Sequence, residues 1–488
     1  MPTRAPALAE AARRTFDILV IGGGATGLGT ALDAAARGHR TVLLESNDFA
    51  SATSSRSTKL IHGGVRYLRQ GNLSLVLGAL RERGRLLRNA PHLAHEREFV
   101  IPAYRWWEKP YYLTGLKLYD ALARDLGLAR SRLLERAEKL IRLPNDKPQR
   151  LRGGVAYSDG QFDDARLAVD LALAAIARGA TVLNHVRVTG ILRSPDGRAT
   201  GVTAQDAETG DSLDCRAKVV INATGIFADR LRRLDDPDAE PMLSFSRGAH
   251  LVLPARFLGG ESALMVPSTP DGRILFGVPW HGRVLLGTTD VPAPDPVPDP
   301  RPTPDEIAYL LETAAPYLAD APTPDDILTV FAGLRALVSP PGGTRKTSAI
   351  SRDHTMVTAR SGLVTIAGGK WTTYRQMAED VVSHAERIGG LPHRPCPTAD
   401  LQIPGPAPSA GPPTDAQVIH ATRHELARTV DDILARRSRA LILDARASMA
   451  AAPRVAALMA AELDRSQSWQ AAQVESYQAL AHRYLPQE

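Results

Sequence analysis

The sequence predicts an α/β fold in which a doubly wound parallel sheet is interrupted by a mixed-sheet domain and followed by a helical domain. Three observations support this prediction. A glycine-rich turn joins an apolar strand to an alanine-rich helix near the N-terminus, β-rich runs alternate with turn residues between 248 and 288, and a proline-rich segment precedes a C-terminal stretch with helical periodicity. A chain of 488 residues is long enough for two or three such domains.

The first observation is a dinucleotide-binding pattern. The apolar run 18–21 leads into the sequence G-x-G-x-x-G at 22–27, and a helical pattern follows at 28–37. In this pattern the first glycine permits a tight turn, the second lets the backbone approach a pyrophosphate, and the third lets helix and strand pack closely. The helix N-terminus then offers N–H groups and a positive dipole end to the phosphates. The residues of this expected phosphate site are Gly22, Gly24, Ala25, Thr26 and Gly27.

A second strand, 41–44, ends in Glu45, whose carboxylate is placed to accept hydrogen bonds from an adenosine ribose. Because Ser46 and Asn47 follow instead of an arginine, a 2′-phosphate is not expected. A glycine turn without a ligand is the alternative interpretation. The order of strand, turn, helix, strand and acid nevertheless predicts that the chain binds an adenine dinucleotide.

Further elements follow in order along the chain. We expect a helix at 167–178, a strand at 181–184, a hairpin of strands 202–207 and 212–216, a buried strand at 218–222, antiparallel strands at 248–253, 263–267, 273–279 and 283–288, and a strand–helix pair at 363–367 and 374–388. The proline-rich segment 291–304 is expected to be an exposed connection, neither a helix nor a central strand. A second proline-rich segment predicts a linker at 401–413 before a helical domain at 414–488.

Composition excludes several classes of protein. The net charge of +6 is spread along the chain, which does not indicate a nucleic-acid surface but suits an anionic substrate or an anionic membrane surface. Cys215 and Cys396 are the only cysteines and lack metal-ligand spacing, so a reducing compartment, no disulfide framework and no metal site are expected. No signal-peptide core and no apolar run near the ~18 residues of a membrane span is present. We therefore expect a cytoplasmic protein whose membrane contact would be peripheral.

Residues 53–67, with the sequence TSSRSTKLIHGGVRY, are rich in hydroxyl groups and glycine. Hydroxyls and free N–H groups at this density can hydrogen-bond phosphate and ribose oxygens, and the glycines after His62 let the backbone approach a flat ring. Arg66 and Tyr67 add a permanent cation and a hydrogen-bond donor. The alternative is a serine-rich surface loop.

The sequence GGKWTTYR at 368–375 lies between the expected strand 363–367 and helix 374–388. A helix N-terminus here would stabilise negative charge, such as that on a reduced flavin ring. Alternatively the glycines form a simple turn and Thr372 or Thr373 caps the helix. The two roles are compatible.

Isolated cations occur between these two motifs. Arg247, His250, Arg335 and Arg352 each border an apolar or glycine-rich segment that is expected to be buried. A single arginine is usually a solvated surface residue, which is the alternative here. A buried arginine requires an anionic partner, and its planar fork suits a phosphate or a carboxylate.

With these motifs the sequence resembles the aerobic type of FAD-dependent glycerol-3-phosphate dehydrogenases, which share a fold with D-amino-acid and glycine oxidases. The resemblance covers nearly the whole chain. The shared motifs lie at 21–27, 53–68, 161–167, 222–225, 287–290, 368–375 and 431–439. One departure is Ala336, where family members usually carry proline, and this puts the rigidity of the loop around Arg335 in doubt.

The resemblance implies a glutathione-reductase/D-amino-acid-oxidase-like FAD-binding domain with an inserted substrate domain. Within an oxidoreductase unit of residues 1–400, the FAD-binding domain is expected at about 15–100, 150–240 and 335–395. The family oxidises sn-glycerol 3-phosphate to dihydroxyacetone phosphate with FAD and passes electrons to a quinone. A homodimer is also expected.

The resemblance also implies roles for particular residues. Arg335 and Arg352 match a phosphate clamp, with Lys370, Thr372 and His250 near the substrate and Arg66, Tyr67 and His62 beside the flavin ring. Of these, Arg66, Arg335, Lys370 and the two histidines are the expected catalytic residues. The expected FAD contacts are Gly22, Gly24, Ala25, Thr26, Gly27, Glu45, Thr53, Ser54, Ser55, Ser57, Thr58, Leu60, His62, Val186, Thr224, Gly225, Gly369, Lys370, Trp371 and Thr372.

The expected chemistry is hydride transfer from C2 of the substrate to the flavin while a base takes the C2 hydroxyl proton. Histidine is the natural base because its pKa is near physiological pH. His62 and His250 both qualify, and the sequence leaves the choice open. The arginines would hold the phosphate, so that positioning supplies most of the rate.

Six aromatic residues fall between Tyr104 and Tyr119, with Arg105, Lys109 and Lys117 among them. Aromatic residues mixed with cations are typical of interfacial anchors, although a cap over the active site or a core helix is an equal alternative. Related oxidases that use oxygen tend to carry an additional insertion for which this chain has no room. A quinone is therefore the expected acceptor.

Two other interpretations remain open. An amino-acid or glycine oxidase of the same fold would need one arginine for a carboxylate in place of a cluster for a phosphate. A non-catalytic flavoprotein could dock a partner through its C-terminal helices, with Arg436, Arg437 and Arg439 as the binding face. A solvated helix face is the simpler account of those three arginines.

Overall fold

The computed structural model describes residues 4–64, 73–123, 126–267, 269, 272–338, 353–407 and 409–486. The strands are β1 (Thr15–Ile21), β2 (Thr41–Leu44), β3 (Leu60–Ile61), β4 (Ala94–Pro102), β5 (Arg132–Leu134), β6 (Gly154–Phe162), β7 (Thr181–Leu183), β8 (Val186–Arg193), β9 (Ala199–Asp206), β10 (Ser212–Asn222), β11 (Leu243–Pro254), β12 (Ala263–Val266), β13 (Leu275–Trp280), β14 (Arg283–Gly287), β15 (Val291–Ala293), β16 (Thr329–Val338), β17 (His354–Thr358) and β18 (Val364–Gly368).

The α-helices are α1 (Arg4–Arg13), α2 (Ala25–Ala36), α3 (Leu73–Asn89), α4 (Glu108–Ala123), α5 (Arg136–Arg142), α6 (Asp164–Ile176), α7 (Ala228–Asp235), α8 (Pro304–Ala314), α9 (Tyr374–Ile388), α10 (Asp415–His424), α11 (Ala440–Leu443), α12 (Ala445–Leu463) and α13 (Gln467–His482). A π-helical turn spans Asp432–Arg437. Within the described ranges, no helix combines the length and the apolar character needed to cross a bilayer.

The first sheet has the strand order β17-β18-β10-β1-β2-β7, with β9 and β8 continuing from β10. The pairs that join β18, β10, β1, β2 and β7 are all parallel. Helices α2, α6 and α9 contribute buried apolar residues to the core that covers this sheet, among them Leu28, Leu171 and Val381. The predicted doubly wound parallel sheet is confirmed.

The second sheet has the order β15-β11-β14-β13-β12-β4-β6-β3, with β16 on β11 and β5 on β6. Most pairs are antiparallel, but β12 runs parallel to β4, so the sheet is mixed as predicted. Strands β3, β4 and β6 lie in this sheet although their residues fall within the approximate limits expected for the FAD-binding domain.

Two predicted elements need correction. The hairpin strand and the buried strand expected at 212–216 and 218–222 are one strand, β10, which pairs antiparallel with β9 and then parallel with β1. No turn residue separates the two halves, so the chain continues straight from one partner to the other. The segment 291–304 contains no central strand, as predicted, since its strand β15 pairs with β11 at the edge of the second sheet. Proline tolerates this edge position.

The C-terminal residues form the predicted helical domain. It does not form a separate core, because its buried residues, such as Val418, Leu441 and Met459, share one apolar cluster with Phe99 and Phe331 of the second sheet. The linker expected at 401–413 contains no helix or strand in its described residues. The C-terminal domain is therefore packed firmly onto the rest of the chain.

Candidate functional site

The glycine turn between β1 and α2 fits only glycine at two positions. Gly22 has a φ of +108°, and a Cβ there would lie 2.7 Å from the carbonyl oxygen of Ala223. A Cβ on Gly27 would lie 1.9 Å from the carbonyl oxygen of Gly22. Gly24 caps α2 without a side-chain hydrogen bond, and the first helical N–H, that of Ala25, donates to Ser54 Oγ at 3.0 Å. This close-packed turn at a helix N-terminus is a cradle that fits a diphosphate.

Glu45 lies at the end of β2, as expected for an acid near the ribose. Its carboxylate is buried and accepts hydrogen bonds from the backbone N–H groups of Gly23 at 2.5 Å and Asn47 at 2.8 Å. Burial raises the pKa of Glu45, although these two hydrogen bonds oppose the shift. Val186 donates its N–H to the carbonyl oxygen of Glu45 at 2.8 Å, so the expected adenosine residues are adjacent.

A cavity of about 370 Å³ lies between the carboxyl ends of the first sheet and the second sheet. This volume falls within the usual range for small-molecule sites, about 300–1,000 Å³. The predicted site residues that line it are Ala25, Thr26, Thr53, Ser54, Ser57, Thr58, Leu60, His62, Gly225, His250, Arg335, Gly369, Lys370, Trp371 and Thr372.

The remaining predicted residues lie elsewhere. Gly22, Gly24, Gly27, Glu45, Ser55, Val186 and Thr224 are outside the cavity lining. Ser55 is buried, and the Thr224 hydroxyl donates to Asn222 Oδ1 at 2.7 Å. Arg66, Tyr67 and Arg352 lie outside the described residues, so their predicted roles stay predictions.

The hydroxyl-rich motif and the second glycine motif meet at the cavity. Trp371 Nε1 donates to the carbonyl oxygen of Ser54 at 2.8 Å, and Thr372 Oγ1 lies 3.5 Å from the carbonyl oxygen of His62. The first motif is not a serine-rich surface loop, because Lys59 within it is fully buried and its Nζ lies 2.7 Å from Asp164 Oδ1. The hydroxyls of Thr53, Ser57 and Thr58 also bond to the Leu334 carbonyl oxygen, Asp164 and His250, so they help to fix the loop whose residues line the cavity.

The two candidate histidines have different environments in the structure. His250 is buried on β11, its ring stacks on Phe331 with centroids 4.7 Å apart, and its Nε2 lies 2.9 Å from Thr58 Oγ1. Burial, together with the positive charges of Arg335 and Lys59, lowers the pKa of His250 to about 3. His250 is therefore neutral at physiological pH, whereas His62 is only partly buried at the cavity wall.

A buried polar group that sequence reasoning missed holds the backbone next to His62. The hydroxyl of Tyr119 accepts a hydrogen bond from the Gly63 N–H at 2.7 Å and donates to Asp159 Oδ2 at 2.8 Å. Arg83 Nη1 lies 2.9 Å from the other oxygen of Asp159 and balances its charge. The sequence marked Tyr119 as a member of an aromatic cluster, but nothing in the sequence linked Tyr119 to His62.

Arg335 lies on β16 with its guanidinium held toward the cavity. Its Nη atoms lie 3.2 Å from the Thr288 hydroxyl and the Thr289 carbonyl oxygen, and 3.5 Å from Asp290 Oδ1. Arg247, in contrast, pairs with Glu306 at 2.8 Å and does not line the cavity.

Sequence reasoning also missed Arg273, which lines the cavity immediately before β13 with its guanidinium 5.6 Å from the Tyr309 ring centroid. Its position at the start of an expected strand, next to a glycine turn, was the available signal.

The three arginines of the C-terminal motif are not on the surface. Arg436, Arg437 and Arg439 are 3%, 6% and 1% exposed. The interpretation of these residues as a partner-binding face and the interpretation as a solvated helix face are therefore both wrong. Each contacts a carboxylate far away in sequence, Asp48 or Asp163, because the C-terminal domain packs against the FAD-binding part of the chain. Arg436 also pairs with Asp431 and Asp432 within its own motif.

A family model described as FAD dependent oxidoreductase matches residues 17–375, and one described as the C-terminal domain of alpha-glycerophosphate oxidase matches residues 372–472. The chain therefore belongs to the family of FAD-dependent oxidoreductases. The expectations of an oxidoreductase and of FAD as its cofactor are confirmed. The glycine cradle and the buried acid after β2 fit that cofactor.

Glycerol-3-phosphate dehydrogenases are the members of this family that the chain resembles. The mitochondrial enzyme of Rattus norvegicus is 43% identical over 404 residues, which cover 80% of this chain and 55% of the relative. The corresponding Arabidopsis thaliana enzyme is 44% identical over 416 residues, which cover 82% of this chain and 65% of the relative. The chain thus spans little more than half of the length of these relatives.

A solved structure of the glycerol-3-phosphate dehydrogenase from Bacillus halodurans, complexed with FAD, superposes on 99% of this chain and 98% of its own. The TM-score is 0.78 and the sequence identity 27%. The resemblance to FAD-dependent glycerol-3-phosphate dehydrogenases is confirmed along the whole chain, including the C-terminal domain.

Proposed function

We propose that this protein oxidises sn-glycerol 3-phosphate to dihydroxyacetone phosphate. The observation that carries the proposal is the convergence of Arg273, Arg335 and Lys370 on the cavity that the FAD-binding loops also line. Several cations around one small cavity suit a dianionic phosphate, whereas a single arginine would suffice for the carboxylate of an amino acid. This favours glycerol 3-phosphate over the amino-acid or glycine substrates of related oxidases.

FAD held by the glycine cradle and the hydroxyl-rich loop would supply the acceptor for the hydride that leaves C2 of the substrate. Arg335 would hold the phosphate, since its guanidinium is already oriented by Thr288 and Thr289. Lys370, at the junction between β18 and α9, would add positive charge at the helix N-terminus. Such fixed positioning of the substrate is expected to supply much of the rate.

We propose His62 as the base that takes the C2 hydroxyl proton. His62 lies at the cavity wall and is only partly buried. The low pKa of His250 makes it a weak base, and its Nε2 is already engaged with Thr58. His250 would instead act as a neutral hydrogen-bonding group that shapes the cavity. Arg66, Tyr67 and Arg352 keep the roles that the family resemblance implies.

Anaerobic reduction of the flavin tests the substrate proposal. Glycerol 3-phosphate should bleach the flavin of the wild type, whereas D-alanine and glycine should not. In Arg335→Ala the half-saturating concentration should rise on the order of 10- to 100-fold, because hydrogen bonds to a charged group contribute about 1.5–3 kcal/mol. Arg247→Ala is the matched control, since Arg247 is paired with Glu306 outside the cavity. An unchanged half-saturation in Arg335→Ala would contradict the proposed clamp.

We propose further that the electrons pass to a quinone at a membrane surface. The segment leading into α4 exposes Trp106 (77%) and Trp107 (39%), and α4 itself exposes Tyr111 (57%) and Leu118 (50%). This outward face does not fit a core helix, although Tyr119 on the inner face contacts the loop of the site. Exposed aromatic side chains beside Lys109 and Lys117 are typical of an interfacial anchor.

Co-sedimentation with vesicles that contain anionic phospholipid tests the membrane contact. The double variant Trp106→Ser/Trp107→Ser should bind at least about tenfold more weakly, since burial of one large apolar side chain contributes about 1.5–3 kcal/mol. Leu234→Ser is the control, because Leu234 is exposed at a different place. Equal binding of the two variants would argue against this surface. The cytoplasmic location and the homodimer stay predictions.

A further inference from the structure

The motif DDILARRSR at 431–439 places three guanidinium groups in the interior of the protein. Arg436, Arg437 and Arg439 are each at most 6% exposed. A buried cation is costly unless a carboxylate balances it at hydrogen-bond distance. Each of these three arginines therefore requires an acidic partner.

Two of the three share one partner, Asp48, in the loop after β2. Asp48 is 1% exposed and its Oδ2 accepts hydrogen bonds from Arg436 Nε at 2.5 Å and from the Arg437 guanidinium. Its other oxygen accepts a hydrogen bond from Asn184 Nδ2 at 3.1 Å. The C-terminal domain thus holds a loop that lies 388 residues earlier in the sequence.

That loop carries Glu45, the acid expected at the adenosine ribose. Glu45 accepts hydrogen bonds from Asn47, within the same loop, and from Gly23 of the phosphate turn. The Gly23 carbonyl oxygen in turn accepts the N–H of Ala50 at 2.9 Å. Because Asp48 lies between these attachment points, a movement of Asp48 would displace both Glu45 and the phosphate turn.

The C-terminal domain also contacts the neighbouring segment on the other side of this loop. His185 Nε2 lies 2.9 Å from Asp432 Oδ2 of the same motif. The backbone N–H of His185 donates to the Asn47 carbonyl oxygen at 2.8 Å, and the backbone N–H of the next residue, Val186, donates to the Glu45 carbonyl oxygen. Asp432 is itself fixed by the N–H groups of Arg428 and Thr429, at 2.7 and 3.0 Å.

We infer that the C-terminal domain retains FAD by holding the loop 45–48 in its binding conformation. Arg436 and Arg437 are positioning residues that act through Asp48, and none of the three lines the cavity. The inference depends on FAD binding, which the family establishes, and not on the identity of the substrate. It gives the C-terminal domain a function that differs from partner docking.

FAD release from the holoenzyme tests this inference. On dilution, released FAD is measured by its fluorescence for the wild type, Arg437→Gln and Asp48→Asn, far below their unfolding temperatures. Both variants should bind FAD on the order of tenfold more weakly, because Arg437→Gln removes one of the two guanidinium groups that hold Asp48 and Asp48→Asn removes the charge that both groups contact. When saturated with FAD, both should be reduced by glycerol 3-phosphate with unchanged half-saturation.

Arg439→Gln is the matched control. Arg439 belongs to the same motif and is equally buried, but its Nε lies 2.8 Å from Asp163 at the start of α6, away from Asp48. This variant should lower the unfolding temperature without a comparable loss of FAD affinity. Equal FAD affinity in Arg437→Gln and the wild type would overturn the inference, as would an equal loss in Arg437→Gln and Arg439→Gln. If Arg437→Gln does not fold, Asp48→Asn, which preserves the side-chain shape, decides between these outcomes.

Discussion

The Nε2 atom of His250 lies 2.9 Å from the hydroxyl of Thr58, and no more than 2% of His250 is exposed. With a pKa of about 3, a base is already deprotonated throughout the range from pH 5 to 9. His250 therefore cannot produce a loss of activity as the pH falls from 8 to 5. If the rate of flavin reduction falls in that range, a different group is responsible.

We predict that His62→Gln slows anaerobic flavin reduction by about 10²- to 10⁴-fold, the usual contribution of a general base, and removes the fall in rate at low pH. His250→Gln should preserve that pH dependence, whatever its effect on the rate. Stopped-flow measurements between pH 5 and 9 distinguish the two variants. Loss of the pH dependence in His250→Gln alone would assign the base to His250.

Tyr119→Phe tests whether the helix α4 holds the loop of the site. The substitution removes the acceptor of the Gly63 N–H and one donor to Asp159, at a cost of about 1–3 kcal/mol for buried groups left without partners. We expect a changed flavin absorption spectrum and a several-fold higher half-saturation for glycerol 3-phosphate. Tyr111→Phe on the exposed face of α4 is the control. Identical spectra for the two variants would argue against a role of Tyr119 in positioning the loop.

The contact between His185 and Asp432 should make stability depend on pH. Burial, the largest single influence, disfavours the charged form of His185 and lowers its pKa, and the positive charge of Arg436 acts in the same direction. The charge and the hydrogen bond of Asp432, together with the charge of Asp48, outweigh these effects. The pKa of His185 is therefore raised above 6.5. A group whose pKa is higher in the folded state than in the unfolded state stabilises the fold fully when the pH is below its unfolded-state pKa. This stabilisation is lost as the pH rises through its folded-state pKa.

We therefore expect the unfolding temperature of the wild type to fall more between pH 6 and 9 than that of His185→Gln. Differential scanning fluorimetry at matched ionic strength measures this difference. Parallel pH curves for the two proteins would show that the His185 charge does not contribute.

Lys59 and Asp164 form a fully buried ion pair beneath the hydroxyl-rich loop. Lys59 Nζ lies within 2.8 Å of both carboxylate oxygens and donates to the Ser55 carbonyl oxygen at 2.6 Å. Lys59→Met should reduce the free energy of unfolding by about 3–5 kcal/mol, because Asp164 is left as an uncompensated buried charge. Chemical denaturation checks this, and Lys59→Met/Asp164→Asn should recover part of the loss. A loss below about 1 kcal/mol would indicate that water reaches Asp164.

Local patterns were enough to predict several elements of the FAD-binding part. The turn at 22–27 is determined by sterics within a few residues, since a Cβ on Gly27 would collide with the Gly22 carbonyl oxygen. The helix 374–388 was predicted from its periodicity and is confirmed at both ends. The continuous strand β10 was not predicted, because pattern alone does not show that one strand changes partner from β9 to β1.

For the functional site as well, the sequence predicted the features that depend on local residues and missed those that depend on tertiary contacts. The sequence identified the loops that meet at the cavity, because glycine and hydroxyl density is a local property. It did not distinguish His62 from His250, because the pKa of a histidine depends on burial and on charges such as Arg335 that arrive from other strands. Arg273 and Tyr119 were not assigned to the site for the same reason.

By itself the sequence determined that this chain binds an adenine dinucleotide and resembles the FAD-dependent glycerol-3-phosphate dehydrogenases, since both conclusions depend on short contiguous motifs. Only the tertiary structure decided what the arginines of the C-terminal motif do. A charged residue on a helix has the same sequence pattern whether it faces water or a carboxylate. Arg436 and Arg437 meet Asp48 across nearly 390 positions, and only the packing of the C-terminal domain brings them together.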